Sequence, residues 1–163
     1  MLRIILVFLA LIAPAGVASA QWVTQEIGGA FDNDPLHVTL TMRGGYGFGF
    51  RCKSNTSEAI FITRDRSFDR ETLKMANTVG PKILVRVDRG EILILSSEVH
   101  NTDGAATFVA HAELDIYRAI ASARSSVAVA VEFLGTKYHE TTFGVTGSRT
   151  AMNTLISKCK LER

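Results

Sequence analysis

Hydrophobic and polar positions alternate with a two-residue period along most of this chain, and a helical period takes over twice toward its end. Residues 22–27 and 36–42 read as strands on either side of the turn cluster Asp32-Asn33-Asp34-Pro35. In the second, Leu36, Val38 and Leu40 alternate with His37 and Thr39, the pattern of a half-buried strand. Between residues 44 and 52, Tyr46, Phe48, Phe50 and Cys52 share one parity, and Gly45, Gly47 and Gly49 share the other. On a strand this puts three aromatics and a sulfur on one face and bare backbone on the other, where another element can approach closely. Residues 58–63 continue as strand, and residues 82–87 and 91–99 pair as a hairpin around Asp88-Arg89-Gly90. A polar turn at 100–104 leads to a short strand at 105–109. Residues 68–77 fit neither period, which leaves a loop with a short helix open.

Leu114, Tyr117, Ile120 and Ala121 then fall at helical spacing in an alanine-rich segment that ends near Ser125. Val127, Val129, Val131 and Phe133 alternate with Ala128, Ala130 and Glu132; both faces are apolar enough for an interior strand. Gly135-Thr136-Lys137 turns the chain, and residues 138–145 return as its antiparallel neighbour. Thr146-Gly147-Ser148 offers N-cap chemistry for a final helix, on which Ala151, Leu155 and Cys159 share one face. The expected fold class is α+β: a mainly antiparallel sheet or sandwich with two helices in the C-terminal half.

The first twenty residues stand apart. Arg3 precedes an unbroken apolar run from Ile4 to Ile12, Pro14 and Gly16 break it, and Ala18-Ser19-Ala20 is a small-x-small cleavage pattern. The run is shorter than the roughly 20 residues a spanning helix needs, so residues 1–20 are expected to be a signal peptide removed after Ala20. Residues 21–163 would then form one exported domain, periplasmic or secreted, with no transmembrane segment. Losing Arg3 lowers the net charge from +2 to +1, a balance that offers no broad surface to phosphates, so nucleic acid is not an expected partner. In an oxidising compartment the two cysteines, Cys52 and Cys159, are expected to be bridged, and the two periodicities independently turn both sulfurs toward the core.

Catalytic arrangements occur only as fragments. His111-Ala112-Glu113 is the H-x-E half of a zinc deaminase signature whose P-C-x-x-C half is missing. His139 and Glu140 are neighbours on a strand and face opposite sides. Ser148 lacks the G-x-S-x-G frame of a nucleophile elbow and reads as a helix cap. Asp32 and Asp34 lie in a turn that lacks an EF-hand pattern. Asn55-Thr56-Ser57 is a sequon read as a polar turn, and Arg64, Arg66 and Arg70 mix with Asp65 and Asp69 as a solvated loop would. No catalytic, cofactor-binding or metal-ligating residue is therefore assigned.

Trp22, Phe31-Asp32-Asn33-Asp34, Gly49-Phe50-Arg51-Cys52, Arg86-Val87-Asp88, Phe143-Gly144-Val145-Thr146-Gly147-Ser148, Ala151 and Cys159 form a set of spaced marks behind the leader. With them the chain resembles the small exported proteins grouped around VasI, a type VI secretion-associated family, and similar proteobacterial domains of unknown function. The resemblance covers nearly all of residues 22–159. It implies a periplasmic, β-rich domain stapled by its two cysteines, with no catalytic residues to carry over. The expected function is a non-enzymatic binding or accessory module with another envelope protein as its partner. A small hydrolase, or an inhibitor of one, is the alternative; the oligomeric state stays open. Convergence of two histidines on a carboxylate in a cleft would favour catalysis.

Overall fold

The computed structural model describes residues 21–28, 33–53, 56–66 and 68–162. The leader at 1–20, Phe31, Asp32 and Asn55 of the sequon lie outside these. In chain order the elements are β1 (Val23–Ile27), β2 (Leu36–Arg43), β3 (Tyr46–Lys53), β4 (Thr56–Ile62), α1 (Arg70–Val79), β5 (Lys82–Val87), β6 (Ile92–Thr102), β7 (Ala105–His111), α2 (Leu114–Ala121), β8 (Val127–Phe133), β9 (Thr136–Phe143) and α3 (Ser148–Lys158). The protein is predominantly β, with α2 and α3 in the C-terminal half as expected and α1 as an additional helix. None of the described helices is long and apolar enough to cross a membrane.

All nine strands lie in one antiparallel sheet, ordered β1-β2-β3-β4-β7-β6-β5-β8-β9. β6 divides it. Residues 92–96 pair with β5, whereas residues 97–102 pair with β7. Pro81 has no N–H to extend the β5 ladder, and its carbonyl accepts from both the backbone N–H and the hydroxyl of Ser97. Beyond that point α1 covers the edge β5 has left. The Asn77 amide stands in for a strand, donating to the Val99 carbonyl at 2.9 Å and accepting from its N–H at 2.7 Å.

The inner faces of the two halves meet over an aromatic core. Phe48 reaches Phe143 across the molecule with ring centroids 6.0 Å apart, and Phe108 reaches Phe133 at 5.9 Å. Trp22 packs edge-on to Phe48 and is held by its indole N–H on the Gly144 carbonyl, 2.9 Å away. Each of the fully buried rings contributes about 1.5–3 kcal/mol by leaving water, and the half-buried Phe133 less. α2 buries Ile116, Tyr117 and Ile120, and α3 buries Ala151, Met152, Leu155 and Ile156. Cys52 and Cys159 are both buried and bonded to each other across 107 residues of sequence. The chain-entropy model gives a loop of this length about 4–5 kcal/mol.

The segment left open resolves into a helix, and one local expectation is corrected. α1 begins within residues 68–77 and runs on to Val79: the Asp69 side chain caps it by accepting from the Thr72 N–H at 2.8 Å, and Gly80 closes it in the left-handed region. Ser148 is not a cap. Gly147 occupies the N-cap at φ 81° with no side-chain bond, and Ser148 is the first helical residue, buried beneath α3.

Candidate functional site

Register assigns side chains to faces, because directly paired residues of an antiparallel ladder point the same way. β3 decides which face is inside. Its Phe48, Phe50 and Cys52 are buried, and opposite them on β2 stand Thr41, Thr39 and His37. β2 therefore turns its polar set inward and Leu36, Val38, Leu40 and Met42 outward, the reverse of an ordinary half-buried strand. The interior accommodates this unevenly. His37 Nδ1 lies 3.4 Å from Glu26, and the Thr39 hydroxyl donates to the Val23 carbonyl at 3.2 Å. The buried hydroxyl of Thr41 has no partner among the described residues.

On the outer face the ladders align side chains in rows across the strands. One row runs Val23, Leu40, Gly49, Ile60, Val109. A second runs Met42, Gly47, Ile62, Thr107. Ile27 and Leu36 extend the apolar surface at the β1 side. Val23, Met42 and Ile27 are 51%, 50% and 54% exposed, high values for large apolar side chains. Gly47 and Gly49 shape the surface between the rows. A Cβ on Gly49 would sit 2.0 Å from the Thr39 carbonyl oxygen, so β2 could not come so close to any other residue. A Cβ on Gly47 would meet the Met42 sulfur at 2.7 Å and Ile62 at 3.3 Å, side chains that close over the bare backbone.

A polar row lies beside these: Gln25, Val38, Arg51, Glu58, His111. Arg51 and Glu58 form an ion pair through Nε and Oε2. Together with Ser96, Glu98 and His100 of β6 they line an open concavity of about 530 Å³. Glu98 and His100 are 3.8 Å apart, with side chains 76% and 53% exposed. Behind the shelf, the Ser57 hydroxyl bonds to the Ala112 carbonyl at 2.7 Å and the Tyr117 hydroxyl at 2.8 Å. Burial pushes the Tyr117 phenol up to about 12. The shelf can thus offer an adjacent cation, carboxylates and imidazoles to a polar ligand or peptide flank. Burial and hydrogen bonding, which tune a general base, are spent on Tyr117 beneath it.

Of the histidines considered for catalysis, His100 and His111 share this concavity, His37 is buried beside Glu26, and His139 lies at the seam where the sheet closes on itself. There His139, at φ 55° on β9, has Nε2 3.8 Å from Asp65 and its ring against Tyr46. The Arg64 guanidinium sits 4.7 Å over the Tyr46 ring and donates to its hydroxyl. Burial holds the His139 imidazole below its ordinary value, with the Asp65 carboxylate opposing and Arg64 reinforcing. Glu113 of the H-x-E fragment precedes α2 without a capping bond, and Asp34 remains in a bend before β2. Asp88, read only as a turn residue, fastens the β5–β6 turn to the segment before β8. Its carboxylate accepts from the Ser125 hydroxyl and from the N–H groups of Arg124, Ser125 and Ser126. Among the described residues, no three His, Cys, Asp or Glu gather as a metal site would require.

The outer apolar rows were not read from the sequence. The signal for them was the parity of β2 combined with its pairing to β3, and only the second half of that signal is structural. Comparison of the chain with known proteins matched no family model, no curated protein and no solved structure.

Proposed function

We propose that this chain is a small non-enzymatic binding or accessory module of the bacterial periplasm, exported by removal of residues 1–20 and akin to the VasI-like exported proteins. Its partner is another envelope protein, docked on the outer face of β1 to β4 and β7. One observation carries the reading: β2 turns Leu36, Val38, Leu40 and Met42 to the outer face, the first three half-buried and Met42 exposed, while His37, Thr39 and a Thr41 hydroxyl without a partner among the described residues lie inside. Burying an unpaired hydroxyl costs about 1–3 kcal/mol, and exposing apolar side chains forgoes their burial. A strand oriented against both terms is explained by a partner that covers the outer rows. The partner that fits brings apolar side chains to Val23, Leu40 and Ile60 and a polar flank to Arg51, Glu58 and His111. The buried disulfide supports an oxidising compartment.

The test compares exported wild-type protein with Leu40→Lys and Ile60→Lys variants in the envelope of its native host. Both side chains are half-buried on the outer face, clear of the core, so both variants should fold, as circular dichroism checks, and both should lose the partner that the wild type retains. Undiminished association by both variants would refute the outer face as the docking surface.

A hydrolase centred on the shelf is the second reading, favoured by the meeting of His100 and His111 with Glu58 and Glu98. Turnover of peptide, ester or peptidoglycan substrates by the exported protein, abolished by His111→Ala or His100→Ala without unfolding, would establish it instead.

A further inference from the structure

The two edges of the sheet are treated differently. At β9 the ladder with β8 is irregular between Val129 and Val131, and His139 leaves the β region at φ 55°. The Arg43 guanidinium donates to the Thr142 carbonyl, and His139 turns toward Asp65. A bulge and side chains laid over the backbone are the usual means of stopping a sheet from growing. β1 has none of these from Val23 to Ile27; only the chain just before it is paired, Gln21 bridging Thr146 and the Trp22 N–H donating to the Thr146 carbonyl at 3.0 Å. Val23-Thr24-Gln25-Glu26-Ile27 contains no proline, glycine, lysine or positive φ, and among the described residues no strand pairs with its outer edge. Its one charge, Glu26, is met within its own subunit by His37 at 3.4 Å and Lys158 at 3.9 Å.

We infer that β1 is a dimerisation edge whose occupant is β1 of a second copy of this chain. The sequence of the strand is self-complementary in that arrangement. A two-fold axis perpendicular to the sheet at Gln25 sets Gln25 against its counterpart, Val23 against Ile27 and Thr24 against Glu26. No like charges oppose each other, and the two most exposed apolar residues of the edge bury one another. The same operation keeps both outer faces on one side, so the row from Val109 to Val23 runs on into Ile27 and Leu36 of the second copy. The inference uses the edge backbone and its register, and it stands whether or not the outer face docks an envelope protein.

Sedimentation velocity of the exported protein over a concentration series tests it. The wild type should show a monomer–dimer equilibrium, and Val23→Lys and Ile27→Lys should each weaken it by at least about ten-fold, because each sets a charge against an apolar neighbour. Tyr138→Lys on β9 should leave it unchanged. Gln25→Cys should yield a covalent dimer on oxidation, since only residue 25 meets its own copy. Leu40→Lys, one strand in from the edge, should still dimerise, which separates failure of the edge from failure of the outer-face reading. A monomer at every concentration, or a dimer indifferent to both β1 lysine variants, would overturn the inference. If Gln25→Cys fails to fold, the lysine variants decide alone, with circular dichroism confirming that they are native.

Discussion

In one half of the sheet β2 directs His37, Thr39 and Thr41 inward and its leucines outward, whereas in the other half β8 directs Val127, Val129 and Val131 inward. The outward floor of that second half is Leu84, Ala128 and Ala130, with Ile94, 60% exposed, at its β6 end. Lys82, Arg86, Glu132 and Lys137 rim it, and the long stems of such side chains can cover apolar surface while their charges stay in water. The first half leaves Val23, Ile27 and Met42 half-exposed beside a polar row of Arg51, Glu58 and His111. Both halves expose some large apolar side chains, Ile94 in the second among them, but only in the first does a strand also turn its polar set inward. Their fastenings differ as well: a disulfide to α3 holds the first, and the Asp88 carboxylate ties the β5–β6 turn to β8.

The largest expected effect comes from cutting the first fastening. Replacing Cys52 and Cys159 together by Ser should cost about 2–5 kcal/mol, measured by urea unfolding of wild type and variant. Hydrogen exchange should then accelerate first in β2, β3 and α3, with β5 and β8 the last to lose protection. Uniform acceleration would erase the distinction between the halves.

A pair of swaps tests the burial contrast itself. Val129→Thr places an unpaired hydroxyl in the second half and should destabilise by about 1–3 kcal/mol. Thr41→Val removes the orphan hydroxyl from the first half and should stabilise by about 1 kcal/mol. Opposite signs at two inward positions of one sheet are the outcome that supports the contrast. Destabilisation by Thr41→Val would mean that the hydroxyl is satisfied in solution.

Leu134 offers a smaller effect. It occupies the first position of the two-residue β8–β9 turn at φ 47°, 86% exposed, where Asn or Asp is preferred. Leu134→Asn should raise stability by about 0.5–1 kcal/mol in thermal unfolding, through relief of the left-handed backbone.

Asp88 gives a pH signature for the second half. Hydrogen bonds from the Ser125 hydroxyl, and then from the Ser126, Arg124 and Ser125 N–H groups, hold its carboxylate well below the ordinary 3.8. Its contribution is therefore fully present above the unfolded value and is lost as pH falls through the lower folded one. The stability difference between wild type and Asp88→Asn should be constant near neutrality and shrink in acid. A difference independent of pH down to the acid limb would contradict this role for Asp88.

Much of the fold was legible because β3 and β8 carry strict two-residue periods, and because Cys159 shares a helical face with Ala151 and Leu155. Those periods put both sulfurs inside without any knowledge of pairing. β2 was legible as a strand but not as to its orientation. Alternation separates two faces, and only the opposition of Thr39 to Phe50 and Thr41 to Phe48 says which is buried. α1 was obscured for another reason. It covers a strand edge through Asn77 and brings only Leu73 and Ala76 among its apolar residues against the core, too few to establish a helical period. Its markers were Asp69 before the first turn and Gly80 after the last. Ser148 was misread because Gly147, one residue earlier, takes the cap position in a conformation that glycine tolerates best.

The central claim is that the outer rows of the first half are a docking surface and those of the second are not. The direct test places a photo-crosslinking residue, one at a time, at Leu40, Ile60, Leu84 and Ala130 of the exported protein in its native envelope. The account predicts the same heterologous adduct at positions 40 and 60, abolished by adding Val38→Lys, and no such adduct at 84 and 130. Adducts at 84 and 130 with none at 40 and 60 would contradict it, as would adducts at 40 and 60 that persist when Val38 is replaced by lysine.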